Sequence, residues 1–139
     1  MVAADERRAA SALSHLKIAI RANYSNPPSH GADIVETILC DPGLRDRWEG
    51  ELATMRARIR ANRAAFVDAV RAAGIPGDWE PLRGQRGMFA LLGLTTAQVA
   101  RLRDEHAVYL VGNGRINVAG LTEENLPGVA SALRSVLVD

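Results

Sequence analysis

Two arginines occupy positions from which a guanidinium could bind an anionic ligand. Arg115 directly follows the turn Gly112-Asn113-Gly114 and opens a run of small and apolar residues, with little acid nearby in the sequence. A planar guanidinium in such a place can form a bidentate, hydrogen-bonded ion pair with a carboxylate or a phosphate. Arg21 lies at the end of a predicted helix, just before the loop Ser25-Asn26-Pro27-Pro28, where its side chain can reach outward. The pattern alone leaves a second interpretation open for both arginines, a structural ion pair.

The other catalytic and metal-binding patterns in the sequence are weak. The candidate metal ligands lack the spacing of about two to five residues that lets side chains converge on one ion: they are His15, His30, His106 and Cys40. The Gly112 turn begins like a dinucleotide-binding fingerprint, but Asn117 stands where the third glycine belongs, and a strand is predicted to follow instead of a helix. We therefore expect a hairpin turn there, and no metal site.

A row of arginines on a long predicted helix raises the question of nucleic-acid binding. Four of them share a face within about 80° of arc: Arg56, Arg60, Arg63 and Arg71. Such a face could track phosphates. However, Glu49 lies on the same face, no aromatic residue interleaves to stack bases, and the formal net charge is only +1. These features favour a solvated helix face, and no nucleic-acid partner is expected.

The composition is typical of a globular domain that stays out of membranes. The chain has 139 residues, 47% of them hydrophobic and 24% charged. Its single cysteine, Cys40, cannot form an internal disulfide, which favours a reducing setting inside the cell. No apolar run approaches the roughly 20 residues that cross a bilayer, and the N-terminus lacks the layout of a signal peptide. We expect a cytoplasmic protein without a membrane partner.

The first half of the chain is predicted to be helical. Apolar periodicity and helix breakers divide it into a helix over 5–24, a loop over 25–31, a short helix over 32–39 and a long helix over 41–73. Asp41 and Pro42 form a strong start for the long helix, because aspartate accepts first-turn amides and proline tolerates the first helical position. One apolar stripe follows this helix: Leu44, Trp48, Leu52, Met55, Ile59, Phe66 and Val70. The helix could be a spacer between two bodies or simply the longest helix of a core.

The second half reads as a mixture of short strands and helices. Strands are predicted over 79–82, 87–92, 107–111 and 115–119, with a turn over 83–86. Thr95 and Gln98 form a capping box that opens a helix to about Glu105, and Thr122 is predicted to cap a final helix ending near Val138. The chain is therefore predicted to be α+β, with N-terminal helices followed by a small antiparallel sheet covered by helices.

Three motifs, in this order and spacing, closely resemble the C-terminal third of a known enzyme family. They are Arg21 to Pro28 with His30-Gly31-Ala32 after it, Gln85-Arg86-Gly87-Met88-Phe89, and Gly114-Arg115-Ile116-Asn117-Val118-Ala119-Gly120-Leu121. Through these motifs the sequence resembles the class I, fold type I, aminotransferases of the aspartate and aromatic amino acid type. The resemblance covers essentially the whole chain.

The resemblance implies a homodimeric, pyridoxal-phosphate-dependent enzyme whose large and small domains are joined by a long helix. Residues 1–41 would be the end of the large cofactor domain, 42–73 the connecting helix, and 74–139 the small α+β domain. The substrates would be amino acids and 2-oxo acids. The resemblance leaves open whether aspartate or aromatic amino acids are preferred.

The resemblance also assigns roles to individual residues. Arg115 corresponds to the family's arginine that binds the α-carboxylate of the substrate. Arg21 corresponds to the arginine that reaches across the dimer to the distal carboxylate, with Ser25 and Asn26 beside it at the subunit boundary. Phe89 would line the mobile wall that closes over the substrate. All five are predicted substrate-binding residues.

The main departure from the family is the cofactor lysine. Family members hold pyridoxal phosphate as a Schiff base to a lysine, which in this alignment would lie before Met1, whereas the single lysine, Lys17, falls in mid-helix in a different context. We therefore expect no catalytic residue and no certain cofactor-binding residue in these 139 residues, and a chain that alone neither binds the cofactor nor transaminates. The alternative hypothesis is an inactive fragment that acts as a dimerisation or interaction module.

Overall fold

The computed structural model describes residues 4–138, which are mostly helical with one small antiparallel sheet. The elements are α1 (Glu6–Asn23), α2 (His30–Cys40), α3 (Pro42–Ala72), α4 (Glu80–Gly84), β1 (Phe89–Leu91), α5 (Thr96–His106), β2 (Arg115–Asn117), a 3₁₀ helix (Val118–Gly120) and α6 (Leu126–Leu137). The predicted α+β class is confirmed. The chain forms two compact units, Met1–Trp48 and Glu49–Asp139, and the boundary between them falls within α3.

The first unit contains α1, α2 and the start of α3. Asp5 caps α1, because its Oδ1 accepts from the Arg8 amide at 2.8 Å. The second helix begins at His30 and not at Ala32 as predicted, and Ser29 Oγ donates to the carboxylate of Asp33 in its first turn at 2.9 Å. No residue of α1 or α2 is buried. The described residues of this unit therefore have no apolar core of their own.

The long helix α3 extends over 31 residues, as its sequence predicts. Asp41 Oδ1 accepts from the Leu44 amide at 2.9 Å, which confirms it as the cap. The predicted apolar stripe is buried only in the C-terminal half of the helix, where Phe66 and Val70 are 2% and 0% exposed, whereas Met55 is 53% exposed. The helix thus contributes to a core only in the second unit.

The core of the second unit joins α3 to the sheet and to the helices that follow it. Its most deeply buried side chains are Val67, Val70, Leu102, Val118 and Leu133. The rings of Phe66 and Trp79 pack edge to face with their centroids 6.4 Å apart, and Trp79 Nε1 donates to the Pro76 carbonyl at 3.2 Å. This core supports the sheet from one side.

The predicted strand over 79–82 is wrong, because these residues lead into the short helix α4. Its two buried residues, Trp79 and Leu82, lie three positions apart, which is helical spacing rather than strand alternation. Pro81 is tolerated at the start of the helix. Arg83 in the last turn donates to Glu80 Oε1 at 2.9 Å and also pairs with Asp68 of α3. A contact distant in sequence thus stabilises the helix.

The predicted strand over 107–111 is also wrong. Ala107 ends α5 in the left-handed conformation with φ 55°, and only Val111 makes an isolated bridge, to Arg115. Val108 and Leu110 pack against the core of the second unit. Their alternation therefore reflects one-sided burial, and apart from the single bridge of Val111 no strand among the described residues pairs with this segment.

The ends of β2 and of the last helix also differ from prediction. Strand β2 ends at Asn117, because its Oδ1 accepts from the Ala119 amide at 3.1 Å and opens the 3₁₀ helix. The last helix begins at Leu126 rather than directly after Thr122. Thr122 Oγ instead accepts from the Asn125 amide at 3.2 Å and caps the turn that precedes the helix. Hydroxyl and amide side chains thus cap turns here as well as helices.

The ion pair between Asp68 and Arg83 gives a pH-dependent prediction. The Arg83 guanidinium donates to the Asp68 carboxylate and holds the pKa of that carboxyl below its usual value. The stability that the pair contributes is therefore present above the ordinary pKa of aspartate and is lost as the pH falls through the lowered one. We expect Asp68→Asn to lower the melting temperature at neutral pH, and the difference from wild type to shrink as the pH falls below the ordinary pKa of aspartate and through the lowered one.

Glu123→Gln is the matched control for this measurement, because the Glu123 carboxylate has no ion pair within the described part of the chain. It should leave the melting temperature unchanged across the same pH range. A difference between Asp68→Asn and wild type that does not vary with pH would contradict the assignment.

Candidate carboxylate-binding site

The two-stranded sheet presents one buried and one exposed face. Its register pairs Phe89 with Asn117, Ala90 with Ile116, and Leu91 with Arg115. Ala90 and Ile116 are each 5% exposed and pack on the core, whereas the outer residues of both strands are exposed. Since side chains alternate along a strand, Phe89 and Arg115 share the exposed face as diagonal neighbours.

On that face the Arg115 guanidinium lies against the Phe89 ring. Its Cζ is 4.7 Å from the ring centroid, within the range of a cation–π contact. Within residues 4–138, the Arg115 side chain makes no ion pair and no hydrogen bond. Its N–H groups are thus oriented by an aromatic ring and remain available to an acceptor. A carboxylate or a phosphate is the ligand that such a planar donor set binds best.

The turn before Arg115 requires glycine at one position. Gly114 has φ +74°, and a Cβ there would come within 3.1 Å of Leu94 Cβ and 3.2 Å of the Leu94 amide nitrogen. The Gly114 amide donates to the Val111 carbonyl at 2.8 Å, and Asn113 Oδ1 accepts from the Arg115 amide at 3.3 Å. The predicted turn is confirmed, although the strand predicted before it is absent, and it sets the position from which the Arg115 side chain leaves the sheet.

Gly114→Ala is expected to destabilise the second unit by about 1–3 kcal/mol, because alanine meets both a left-handed backbone and a close backbone neighbour. Gly112→Ala is the control, since a Cβ at Gly112 meets nothing within 4 Å and its φ is not in the left-handed region. The measurement is urea unfolding followed by circular dichroism. Equal unfolding midpoints for the two variants would contradict this account of the turn.

Two further predicted residues, Arg21 and Ser25, lie in the first unit at the end of α1. Arg21 is exposed in the last turn and makes no side-chain ion pair or hydrogen bond with any residue of 4–138. Ser25 adopts φ 59°, a left-handed conformation that is uncommon for a residue other than glycine, and its amide donates to the Ile20 carbonyl at 3.1 Å. Such strained residues cluster at functional sites. The next residue, Asn26, is also exposed.

The structure therefore brings two of the five predicted site residues into contact, Phe89 with Arg115. Arg21, Ser25 and Asn26 belong to the other unit, where they form one short exposed segment. Arg115 and Arg21 thus lie in different units, and each is an exposed guanidinium without an acidic partner among the described residues.

Arg63 is a residue of this region that sequence reasoning missed. The predicted solvated helix face is wrong for it, because Arg63 is only 2% exposed. Its Nη2 donates to the Gly87 carbonyl at 2.6 Å, and burial lowers the pKa of the guanidinium below its usual value. The signal was present in the apolar stripe of α3: Arg63 lies four residues after Ile59 and three before Phe66, at the position where the stripe lacks an apolar residue.

The described residues do not fit a pyridoxal phosphate site by themselves. Such a site needs a lysine amine together with a partner for the pyridine nitrogen. Lys17 lies in the middle of α1, beside an open groove lined by Ser14, Ile18, Arg21 and Ala22 and by no carboxylate. We therefore assign no reaction step of this chain to that cofactor.

Within residues 4–138, no group of three or more histidine, cysteine, aspartate or glutamate side chains is placed to hold a metal ion. No helix in this part of the chain has the length and apolar character needed to cross a membrane.

Comparison with known proteins gives consistent matches in sequence and in structure. Residues 1–133 match the family model described as aminotransferase class I and II. The aspartate aminotransferase of Escherichia coli (strain K12) is 48% identical over 137 residues, which are 99% of this chain and 35% of that protein. The tyrosine aminotransferase of Klebsiella pneumoniae is 44% identical over 137 residues, 34% of its length.

A solved structure agrees with these matches. The aromatic-amino-acid aminotransferase of Burkholderia pseudomallei, in a crystal structure with pyridoxal phosphate covalently bound, superposes with a TM-score of 0.89 at 50% identity over 98% of this chain and 34% of that one. The 139-residue chain thus spans about a third of the length of the relatives it matches.

Proposed function

Because the chain belongs to the class I and II aminotransferase family, we propose that it provides the substrate-carboxylate-binding part of a pyridoxal-phosphate-dependent aminotransferase. The enzyme would transfer an amino group between aspartate or aromatic amino acids and 2-oxo acids. The observation that carries the proposal is the exposed Arg115 guanidinium, oriented by the Phe89 ring and without an acidic partner among the described residues.

The roles of the chain's own residues follow from their chemistry. Arg115 would form two parallel N–H···O bonds to the α-carboxylate, which fixes the orientation of the substrate as well as its position. The Phe89 ring holds the guanidinium plane and shields one side of the ion pair from water, which strengthens it. Arg21 would bind the distal carboxylate of a dicarboxylic substrate from the neighbouring subunit of a homodimer, with Ser25 and Asn26 shaping that boundary.

We further propose the domain division that the resemblance implies. Residues 1–41 would complete a large cofactor domain, 42–73 would connect the domains, and 74–139 would form the small one. The continuity of α3 over 31 residues and the burial of its apolar stripe only from Phe66 onward support a connecting role. The exposed, unpaired Cys40 is compatible with a cytoplasmic location, where thiols stay reduced.

A chimera with a relative tests the proposal. The matched third of the E. coli aspartate aminotransferase is replaced by residues 1–139, and the same enzyme rebuilt with its own third is the control. We expect the chimera to transaminate aspartate with a 2-oxo acid once pyridoxal phosphate is supplied, and the 139-residue chain alone to show no turnover. A folded, cofactor-loaded chimera that is inactive beside an active control would contradict the proposal.

A second function, an interaction module without catalysis, is favoured by one observation. No residue of α1 or α2 is buried, and large apolar side chains on both helices are exposed, among them Ile18 at 64% and Val35 at 55%. An apolar surface of this kind favours association. Concentration-dependent self-association of the chain in sedimentation, together with an inactive chimera, would support the module. An active chimera would support the enzyme.

A further inference from the structure

The buried guanidinium of Arg63 lies against the backbone that leads into β1. Its Nη2 donates to the Gly87 carbonyl at 2.6 Å and lies 3.5 Å from the Phe89 carbonyl. Its Nη1 is also buried and has no hydrogen-bond partner among the described residues. No carboxylate of the described chain pairs with it, so its acceptors are backbone carbonyls alone.

A role in stability does not account for this arrangement. Removing a guanidinium from water is expensive when no carboxylate accompanies it, and a buried N–H group without an acceptor adds to the unfavourable free energy. An apolar side chain of similar length, such as methionine, would fill the same space without either penalty. What the arginine provides and methionine cannot is a fixed hydrogen bond to the Gly87 carbonyl.

Besides the pairing of β1 with β2, the backbone that Arg63 holds has few constraints. Gly87 has φ +89°, and no Cβ restricts its rotation. Strand β1 is only three residues long, and the Met88 carbonyl accepts from the Val118 amide at 2.8 Å. The position of the Phe89 ring therefore depends on how the carbonyls at 87 and 89 are held.

The neighbouring residue of α3 holds the end of the other strand. Asn62 Nδ2 donates to the Leu121 carbonyl at 2.7 Å and to the Val118 carbonyl at 3.3 Å. One turn of α3 thus binds the backbone beside both strands through side-chain donors. The exposed face that carries Phe89 and Arg115 is fixed from beneath by this helix.

We propose that Arg63 is a positioning residue of the carboxylate site: by holding the Gly87 and Phe89 carbonyls it fixes the ring against which the Arg115 guanidinium lies. This inference rests on the proposed function, because it assumes that the Arg115 N–H groups bind a carboxylate. Arg63 itself touches no substrate. Its effect is transmitted through Phe89.

The test uses the 139-residue chain and nuclear magnetic resonance. Three variants are compared with wild type: Arg63→Met, Arg63→Lys, and the control Arg60→Met, whose parent side chain is exposed on the same helix and unpaired within residues 4–138. Two quantities are measured: the ring-current shift that Phe89 imposes on the Arg115 Hε proton, and the dissociation constant of succinate read from the Arg115 Nε–Hε signal.

In Arg63→Met we expect the ring-current shift to be lost and the succinate affinity to fall about ten-fold, because a displaced ring no longer orients the guanidinium. Arg63→Lys should give intermediate values, since an ammonium can still donate to a carbonyl but lacks the planar fork of the guanidinium. Arg60→Met should match wild type. Both quantities are read at Arg115 itself. In a variant that remains folded, a lower overall stability alone would change neither of them.

A folded Arg63→Met variant with wild-type ring-current shift and affinity would overturn the inference. If that variant does not fold, Arg63→Lys decides: values indistinguishable from wild type overturn the inference, and reduced values support it. Failure of the proposed function looks different, because wild type would then show no succinate-dependent shift at Arg115. The ring-current shift still reports on positioning in that case, and its retention in Arg63→Met would overturn the inference independently.

Discussion

Arg115→Met in the chimera is expected to lower kcat/KM for aspartate and for phenylalanine alike, by about 100-fold or more. Every amino acid carries an α-carboxylate, so a residue that binds this group acts on all substrates. Methionine retains the apolar contact with the Phe89 ring but removes the donors, so the change isolates the loss of the ion pair. The measurement is steady-state kinetics with both amino acids and one 2-oxo acid.

The control for this prediction is Arg86→Met. Arg86 is exposed near the same strand and has no hydrogen bond or ion pair within residues 4–138, so its replacement should leave both values unchanged. An Arg115→Met variant that loses activity toward aspartate but retains it toward phenylalanine would contradict the assignment of the α-carboxylate to Arg115.

Arg21→Met is expected to discriminate between substrates. It should lower kcat/KM for aspartate by about 100-fold while changing the value for phenylalanine by less than about three-fold, because only the dicarboxylate loses a charged contact. Lys17→Met, one helical turn earlier on the same exposed side of α1, is the control and should leave both substrates unaffected. Equal losses for aspartate and phenylalanine in Arg21→Met would contradict the assignment.

A hybrid dimer tests whether Arg21 acts across the subunit boundary. The Arg115→Met and Arg21→Met chimeras are co-expressed with different tags, and the mixed dimer is purified. If each site takes Arg115 from one subunit and Arg21 from the other, the hybrid contains one intact site and one site that lacks both arginines. It should then recover about half of the wild-type activity toward aspartate. If both arginines came from the same subunit, both sites would be impaired and no activity would return.

Local capping patterns allowed much of the fold to be predicted. Asp41 and the Thr95–Gln98 capping box depend on residues only three positions apart, and the structure contains both caps. Gly114 was recognisable as a turn residue for the same reason. These features need no information from distant parts of the chain.

The errors arise where a distant contact decides the outcome. The helix α4 is tied to α3 by the pair of Arg83 with Asp68, 15 residues apart in the chain. The segment 107–111 alternates like a strand but lies with one side on the core. Hydrophobic pattern alone does not distinguish a paired strand from a segment that packs without a partner.

The same limit applies to the site. The sequence pointed to Arg115 by its turn and to Phe89 by its motif, but the contact between them follows from the antiparallel register, which pairs Leu91 with Arg115. The burial of Arg63 could not be predicted in the same way, because its guanidinium donates to a loop carbonyl 24 residues away in the chain. The sequence showed that Arg63 lies in line with the apolar stripe of α3, but its charge led to the prediction that the side chain is exposed to solvent.

The most direct test of the carboxylate site is a titration of the wild-type chain by nuclear magnetic resonance. Succinate is compared with succinamide, which has the same carbon skeleton without the charges. We expect succinate to shift the Arg115 Nε–Hε and Phe89 signals with a dissociation constant on the order of millimolar, and succinamide to leave both signals in place. No shift at Arg115, or equal shifts with the two ligands, would contradict the account.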